Sequence, residues 1–301
     1  MAIQWQLEQL GVRPLPGLWT INRILKREGL LVKPKYRPRS TPYPALQPTE
    51  SSVGHQMDLV GPRYLKSKER FYGIHLIDAF SNAVALAAFP SKRDIDIVQA
   101  MVAGWQRLGI PEVLQVDNEL SFRGSNRYPH SFGLLIRLCL YLQVEIVFIP
   151  PGEPWRNGIV EKFNDVYDKL FFRQQQFKSL ARLQTELLHF ETFHNHSHRY
   201  AKLAQRTPWS VHTAKSRRLL PKSFALHHKP LPWRDGKISF IRLTDRTGAV
   251  HFFSERFEIT KGLLNEYVRG TIFTKQNLLK FFHQDKVVKV YRYKVTKTQT
   301  C

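Results

Sequence analysis

Three short apolar runs, HQMDLV over 55–60, YGIHLIDAF over 72–80 and NAVALAAFP over 82–90, follow one another and are bounded by turn residues. Runs of this length bounded by turn signals read as adjacent strands. Helical spacing then takes over, because RDIDIVQAMVAGWQRLG sets Ile95, Val98, Val102 and Trp105 on one stripe and stops at Gly109. EVLQVDN reads as a compact strand, GLLIRLCLYLQ as an apolar helix and VEIVFIP as another strand, with a helix after it. Three strands followed by alternating helices and strands confine this part of the chain to an α/β fold: a central mixed sheet flanked by helices.

Proline marks where that sheet begins and ends. KPKYRPRSTPYPALQP over 33–48 carries five prolines among basic residues, which fixes extended backbone and excludes a helix. The expected division is residues 1–32, a linker at 33–50, the α/β core at 51–216, a second linker at 217–235 and a terminal segment at 236–301. In that last segment KISFIRL, AVHFF, VRGTIF, LLKFF and VVKVYRY alternate β-formers with turns, a pattern expected of a small antiparallel barrel. Before the first linker, GLWTINRILKREGLL reads as a helix with Ile21, Ile24 and Leu25 on its apolar side and Asn22, Arg23, Lys26 and Arg27 opposite. With Ile3 to Leu10 as a preceding short helix this resembles the second half of a helix-turn-helix, whose second helix enters a DNA major groove. A solvated amphipathic helix fits the same spacing. The motif lies close to residue 1, so a fuller DNA-binding region is expected upstream.

Charge narrows the choice of partner. The 301 residues include 46 Lys and Arg against 24 Asp and Glu, a net charge of +22. An excess of that size is the footprint of a protein that neutralises phosphates, so nucleic acid is the expected partner. No apolar run approaches the length of a membrane span and no signal peptide is evident, so no membrane partner and a cytoplasmic location are expected, on the nucleoid if the host is bacterial. Cys139 and Cys301 are the only cysteines, too few for a disulfide framework or a cysteine zinc site. His194, His196 and His198, with His227 and His228 beyond them, lack the companions that zinc-finger spacing requires.

Against this basic background three acids stand out: Asp58 in HQMDLVGP, Asp117 in LQVDNELSF and Glu161 in PPGEPWRNGIVEKFN. Each falls at an expected strand end or on a helix face. Converging carboxylates in a phosphate-binding protein point to hard divalent cations and phosphodiester chemistry. Taken singly, each is as well explained as a cap or a solvated charge. Val160, Phe163, Tyr167 and Leu170 repeat at three and four residues and would pack on the sheet, leaving Glu161 at the edge of the stripe.

Those stretches carry a resemblance. Residues Gly54 to Pro208 resemble the catalytic core of retroviral integrases and bacterial insertion-sequence transposases, the DDE recombinases with a ribonuclease H-like fold. The similarity lies in Asp58 at the end of the first strand, LIDAFSN around Asp78, LQVDNELSF, IPPGEPWRNGIVEKFN and the closing FHNHSHRYAKLAQRTP. It implies that Asp58, Asp117 and Glu161 are catalytic and hold two Mg²⁺ or Mn²⁺ ions, and that the chain cleaves element ends and joins them to target DNA. It further implies double-stranded DNA as partner, as element ends and target, a homo-oligomer on that DNA, and a structural role for Asp78. Asn22, Arg23, Lys26 and Arg27 are candidate groove readers, and Arg156, Lys162 and Lys169 candidate phosphate contacts, with Trp155 beside them. Two readings compete: a catalytically reduced DNA-binding assembly protein of a transposition complex, and a simple ribonuclease H-like nuclease.

The chain departs from the family pattern in two places. Between Asp117 and Glu161 lie 43 residues, longer than the common spacing, which implies a short insertion best accommodated in RGSNRYPHS. The position after Asn118 is usually glycine and here is Glu119, an additional acid beside the expected site.

Overall fold

A computed structural model describes residues 3, 7, 10–30, 43–124, 130–226 and 231–296. Residues 1–40 and 41–301 form two compact units. In the first, helix α1 spans Leu18–Arg27 and buries Ile21 alone, with Lys26 and Arg27 at the end that favours cations. Asn22, Arg23, Lys26 and Arg27 are all exposed, with Arg23 over the Trp19 ring at 4.8 Å and Arg27 paired to Glu28 at 2.7 Å. Ile3 and Leu7 are helical, but the rest of the preceding helix lies outside the described residues. Most of the 33–50 linker lies outside them too.

The second unit is built on one sheet. Its strands are β1 (Gly54–Tyr64), β2 (Arg70–Asp78) and β3 (Val84–Phe89), then helix α2 (Asp94–Leu108) and β4 (Val113–Val116). Helix α3 (Leu134–Tyr141), β5 (Glu145–Phe148), α4 (Gly158–Tyr167) and α5 (Leu180–His196) follow. The stretch from β1 to β5 follows the element order expected from the sequence. In α2 the buried side chains are Ile97, Val98, Met101, Val102, Trp105 and Leu108, which leaves Ile95 at the rim and 36% exposed, off the stripe assigned to it. Gly109 ends the helix with a φ of 93° that a β-carbon would strain.

Beyond α5 the strands β6 (Lys237–Leu243), β7 (Ala249–Phe252), β8 (Glu255–Glu258), β9 (Tyr267–Phe273), β10 (Leu278–His283) and β11 (Lys286–Arg292) complete the chain. The sheet order is β11-β10-β9-β6-β5-β4-β1-β2-β3, nine strands in one row, with β7 and β8 a separate pair. Strands β1, β4, β5 and β6 run parallel, and the strands on either flank pair antiparallel. The expected small barrel is therefore not closed among the described residues. Strand β6 has β5 on one edge and β9 on the other, so neither edge is left to hydrogen-bond β7. The β7–β8 pair lies over the sheet instead and shares an aromatic core with it: Phe252 stacks on Phe240 at 3.4 Å and Phe257 meets Phe281 at 5.7 Å. Gly270 makes room for that core, since a β-carbon there would lie 2.3 Å from the Phe240 ring.

Both faces of the sheet are covered. Helices α2 and α3 bury one face, a core that runs from Met57 and Trp105 to Phe240 and Phe281 without interruption. Helices α4 and α5 cover the other, against Phe71, Ile77, Val84 and Leu86. Strand β3 is a sheet edge, and α5 shields it with polar side chains: Asn195 accepts from the Val84 amide at 2.8 Å and donates to its carbonyl at 2.9 Å. Glu191 accepts from Leu86 N, and Gln184 donates to the Ala88 carbonyl. An exposed edge is thereby closed to other strands. Among the described residues no helix is long and apolar enough to cross a membrane.

Candidate active site

Register decides which acids can meet. Strand β1 pairs with β4 through Gly54↔Val113, His55↔Leu114 and Gln56↔Gln115, and the same offset carried two residues further sets Asp58 beside Asp117. Glu161 arrives from the first turn of α4, where a carboxylate also faces the positive end of the helix. The start of α4 is pinned to the strands by three polar side chains. Gln56 Oε1 accepts from the amides of Ile159 and Val160 at 3.0 and 3.1 Å, and Asn157 Nδ2 donates to the Met57 carbonyl at 2.8 Å. Gln115 Nε2 donates to the Arg156 carbonyl at 3.0 Å. Orphaned helix amides are thus satisfied from the sheet.

All three acids are half-buried, and burial is the main force raising the pKa of each. Mutual repulsion adds to it: Asp58 raises Asp117, and Asp58, Asp117 and Asp165 raise Glu161. Asp58 is partly relieved by Asn164, whose Nδ2 donates to its Oδ2, and Asp117 by the Glu119 amide at 3.0 Å. Asn164 in turn is oriented by His75, its partner through Nδ1. Since Asn164 presents its oxygen to His75, the imidazole must donate through Nδ1.

Glu119 turns to Lys92 at 3.1 Å. Lys162 and Lys169 are exposed on α4 and the turn after it, and Trp155 is 61% exposed. Arg156, expected to touch phosphate, is held within the protein: its guanidinium pairs with Glu153 at 3.1 Å, reaches Tyr267 Oη at 3.2 Å and lies 3.8 Å from the Tyr43 ring. Asp168 accepts from Arg63 Nη1 through Oδ1 and from Nη2 through Oδ2. A π-helical turn at Asp168–Phe172 inserts one residue into the stripe, so Phe171 is buried and Leu170, expected inside, is 51% exposed. Asp78 is fully buried and belongs to another cluster, accepting from Ser52 N at 2.6 Å and from Ser81 N and Oγ at 2.7 Å, with the His55 and His212 rings 3.5 and 3.8 Å away. Burial works to raise its pKa, but His55, His212 and the Ser81 amide hold it well below the usual carboxylate range. His194 is buried and faces the Asn82 carbonyl through Nε2, His198 stacks on it, and His196 leans on Trp209. His227 and His228, and most of the RGSNRYPHS loop, lie outside the described residues.

The donor set of Asp58, Asp117 and Glu161 is oxygen only, which suits Mg²⁺ or Mn²⁺, and their mutual repulsion is what a divalent ion relieves. Among the described residues no three His, Cys, Asp or Glu side chains are already drawn together around a common metal position. Residues 142–208, which contain Glu161 and its helix, match the family model described as an integrase core domain.

Over those residues the chain resembles an integrase core.

No curated protein matches the chain. Among solved structures, the chain is similar to the HTLV-2 integrase catalytic core domain in complex with magnesium, at 17% identity over 55% of this chain and 98% of that one, with a TM-score of 0.42. The simian T-cell lymphotropic virus intasome is similar at 14% identity over 88% and 85%, with a TM-score of 0.49. The BIV integrase catalytic core is similar at 19% over 54% and 93%, with a TM-score of 0.40. The residues that position the three acids are not singled out by the motifs, although one signal is present in the sequence. Gln56 and Gln115 each stand two residues before an Asp, and the period of a strand puts each on the same face as its acid.

Proposed function

We propose that this chain is a DNA transposase or integrase, a polynucleotidyl transferase that cleaves element ends and joins them to target DNA. The observation that carries the reading is the placing of Asp58 beside Asp117 at one end of a parallel strand pair, with Glu161 raised by both from a helix inside the segment that matches an integrase core. Asp58, Asp117 and Glu161 would hold divalent ions, Mg²⁺ or Mn²⁺, which supply charge neutralisation at the attacking and leaving oxygens of a phosphodiester.

The chain itself supplies orientation. Asn164 fixes Asp58, and Gln56 and Asn157 fix the helix that presents Glu161. Exposed Lys162 on α4 and Lys169 in the turn after it are candidate phosphate contacts, and the net charge of +22 gathers DNA around them. Asn22, Arg23, Lys26 and Arg27 are the proposed groove readers on α1. Two ends must be held together for joining, so we assign a homo-oligomer on DNA.

The test is end joining on labelled duplexes in Mg²⁺, in Mn²⁺ and in chelator. Joined products in either metal, none in chelator and none from Asp117→Asn or Glu161→Gln are expected. DNA bound and bridged with no metal-dependent product would establish the assembly-protein reading instead.

A further inference from the structure

Arg242 on β6 is only 7% exposed, and among the described residues the oxygens that accept its hydrogen bonds are all neutral. Burial pushes its pKa down to about 9, and Arg123 nearby adds to the effect, so it still carries its charge at neutral pH. A buried cation without a counter-ion is costly, and an apolar side chain of similar volume would usually serve stability better. Its hydrogen bonds show where the charge is spent. One nitrogen, Nη2, donates to Asn118 Oδ1 at 2.7 Å; Nη1 donates to the carbonyls of Ile149 at 3.1 Å and Ile241 at 2.8 Å; Nε donates to the His251 carbonyl at 3.2 Å. Asn118 closes the knot by donating through Nδ2 to the same Ile149 carbonyl at 2.6 Å.

Two of those acceptors sit at decisive places. Asn118 follows Asp117 directly. Ile149 follows the last residue of β5 and opens the segment that leads through residues 150–157 to the helix of Glu161. A planar fork can hold several acceptors in fixed directions, which an ammonium cannot. We propose that Arg242 is a positioning residue of the acid site, reaching from the terminal β-segment to lock the ends of β4 and β5 so that Asp117 and Glu161 are presented together. The terminal segment is then part of the site's frame and not only an appended binding surface. The inference rests on the acid assignment made above for its consequence in metal binding, but not for the locking itself.

The experiment therefore has two arms on the full chain, using Arg242→Lys, which keeps charge and loses the fork, Asn118→Ala, which removes the acceptor, and the double variant. Amide hydrogen exchange without metal or DNA reads the lock: exchange at the amides of residues 117–120, 152, 153 and 155–157 should rise at least tenfold in each single variant while α2 and β2 stay at wild-type rates. Mn²⁺ titration reads the consequence, with affinity falling about 10- to 100-fold, as for other groups that orient metal ligands. The double variant should be no worse than the worse single one, since both break one knot. Wild-type exchange in both single variants, or losses that multiply in the double, would overturn the proposal. If Arg242→Lys does not fold, Asn118→Ala decides it alone. If Asp117→Asn binds Mn²⁺ as tightly as wild type, the acid assignment fails, and the exchange arm still judges Arg242.

Discussion

Asn164 Nδ2 donates to Asp58 Oδ2 at 2.7 Å, and its oxygen meets His75 Nδ1 at the same distance. Three strand-and-helix elements thus meet in one chain of hydrogen bonds, with the acid at its end. Asn164→Ala frees Asp58 to rotate and removes the donor that partly offsets its burial. Metal affinity should fall about 10- to 100-fold with the fold intact, the usual cost of losing a ligand's orienting partner. Mn²⁺ titration alongside a circular-dichroism melt checks it, and unchanged affinity would count against Asn164 as an orienting group.

The acids should also trade stability for site. Because the pKa values of Asp117 and Glu161 are raised in the fold, their ionised forms are disfavoured there, and the stability they contribute is lost as pH rises through those values. At neutral pH without metal, Asp117→Asn and Glu161→Gln should each melt higher than wild type, Glu161→Gln by less because its carboxylate is the more solvated. Asp78 has the opposite sign. Its lowered pKa stabilises the fold above about 4 and the benefit fades as pH falls further, so Asp78→Asn should destabilise by roughly 3 kcal/mol, as expected when a buried charge network loses its centre. Melting curves of the three variants at pH 7 separate the two kinds of acid.

Helix α4 and its π-helical turn make a claim about neighbouring residues. Phe171→Ala should cost about 3–5 kcal/mol, since Phe171 is 3% exposed among Phe163, Phe177 and Phe190, whereas Leu170→Ala should stay within about 0.5 kcal/mol. Equal costs in urea unfolding would show that the helix continues without the extra residue.

His194 gives the fold a pH dependence on the acid side. Burial pushes its pKa down to about 4, so the fold favours the neutral ring. For such a group stability is present above the unfolded value of about 6.5 and is lost as pH falls towards the folded one, at up to about 1.4 kcal/mol per pH unit. His194→Gln, which keeps a donor for the Asn82 carbonyl, should flatten the decline in stability between pH 6.5 and 4. A decline as steep as the wild type's would place the titration elsewhere.

What could be read from the chain alone divides along physical lines. Strands β1 to β5 and the helices between them are visible because each is long enough for its own period to show. Strand β8 is not, since ERFE holds Phe257 as its one apolar residue. The inward turn of Phe171 depends on a π-helical turn that leaves no trace in a count of threes and fours. The three acids stand in extended motifs and could be singled out; their supports could not, because Gln56, Gln115, Asn164 and Arg242 find their partners 41 to 124 residues away. The open barrel has the same origin, for nothing within KISFIRL announces that its free edge will be taken by VEIVFIP.

That shared edge sets a schedule for biosynthesis. Strand β5 ends at Phe148 and its neighbour β6 begins only at Lys237, so translation at roughly 5–20 residues per second leaves the outer side of β5 uncovered for several seconds or more. An open strand in a half-made sheet invites pairing with another nascent chain. The hazard is contained by brevity and by proline: β5 has four residues, and Pro150 and Pro151 follow shortly after it. Any shortened version that stops before Lys237 would keep that side open permanently, and with it a standing tendency to associate through strand addition.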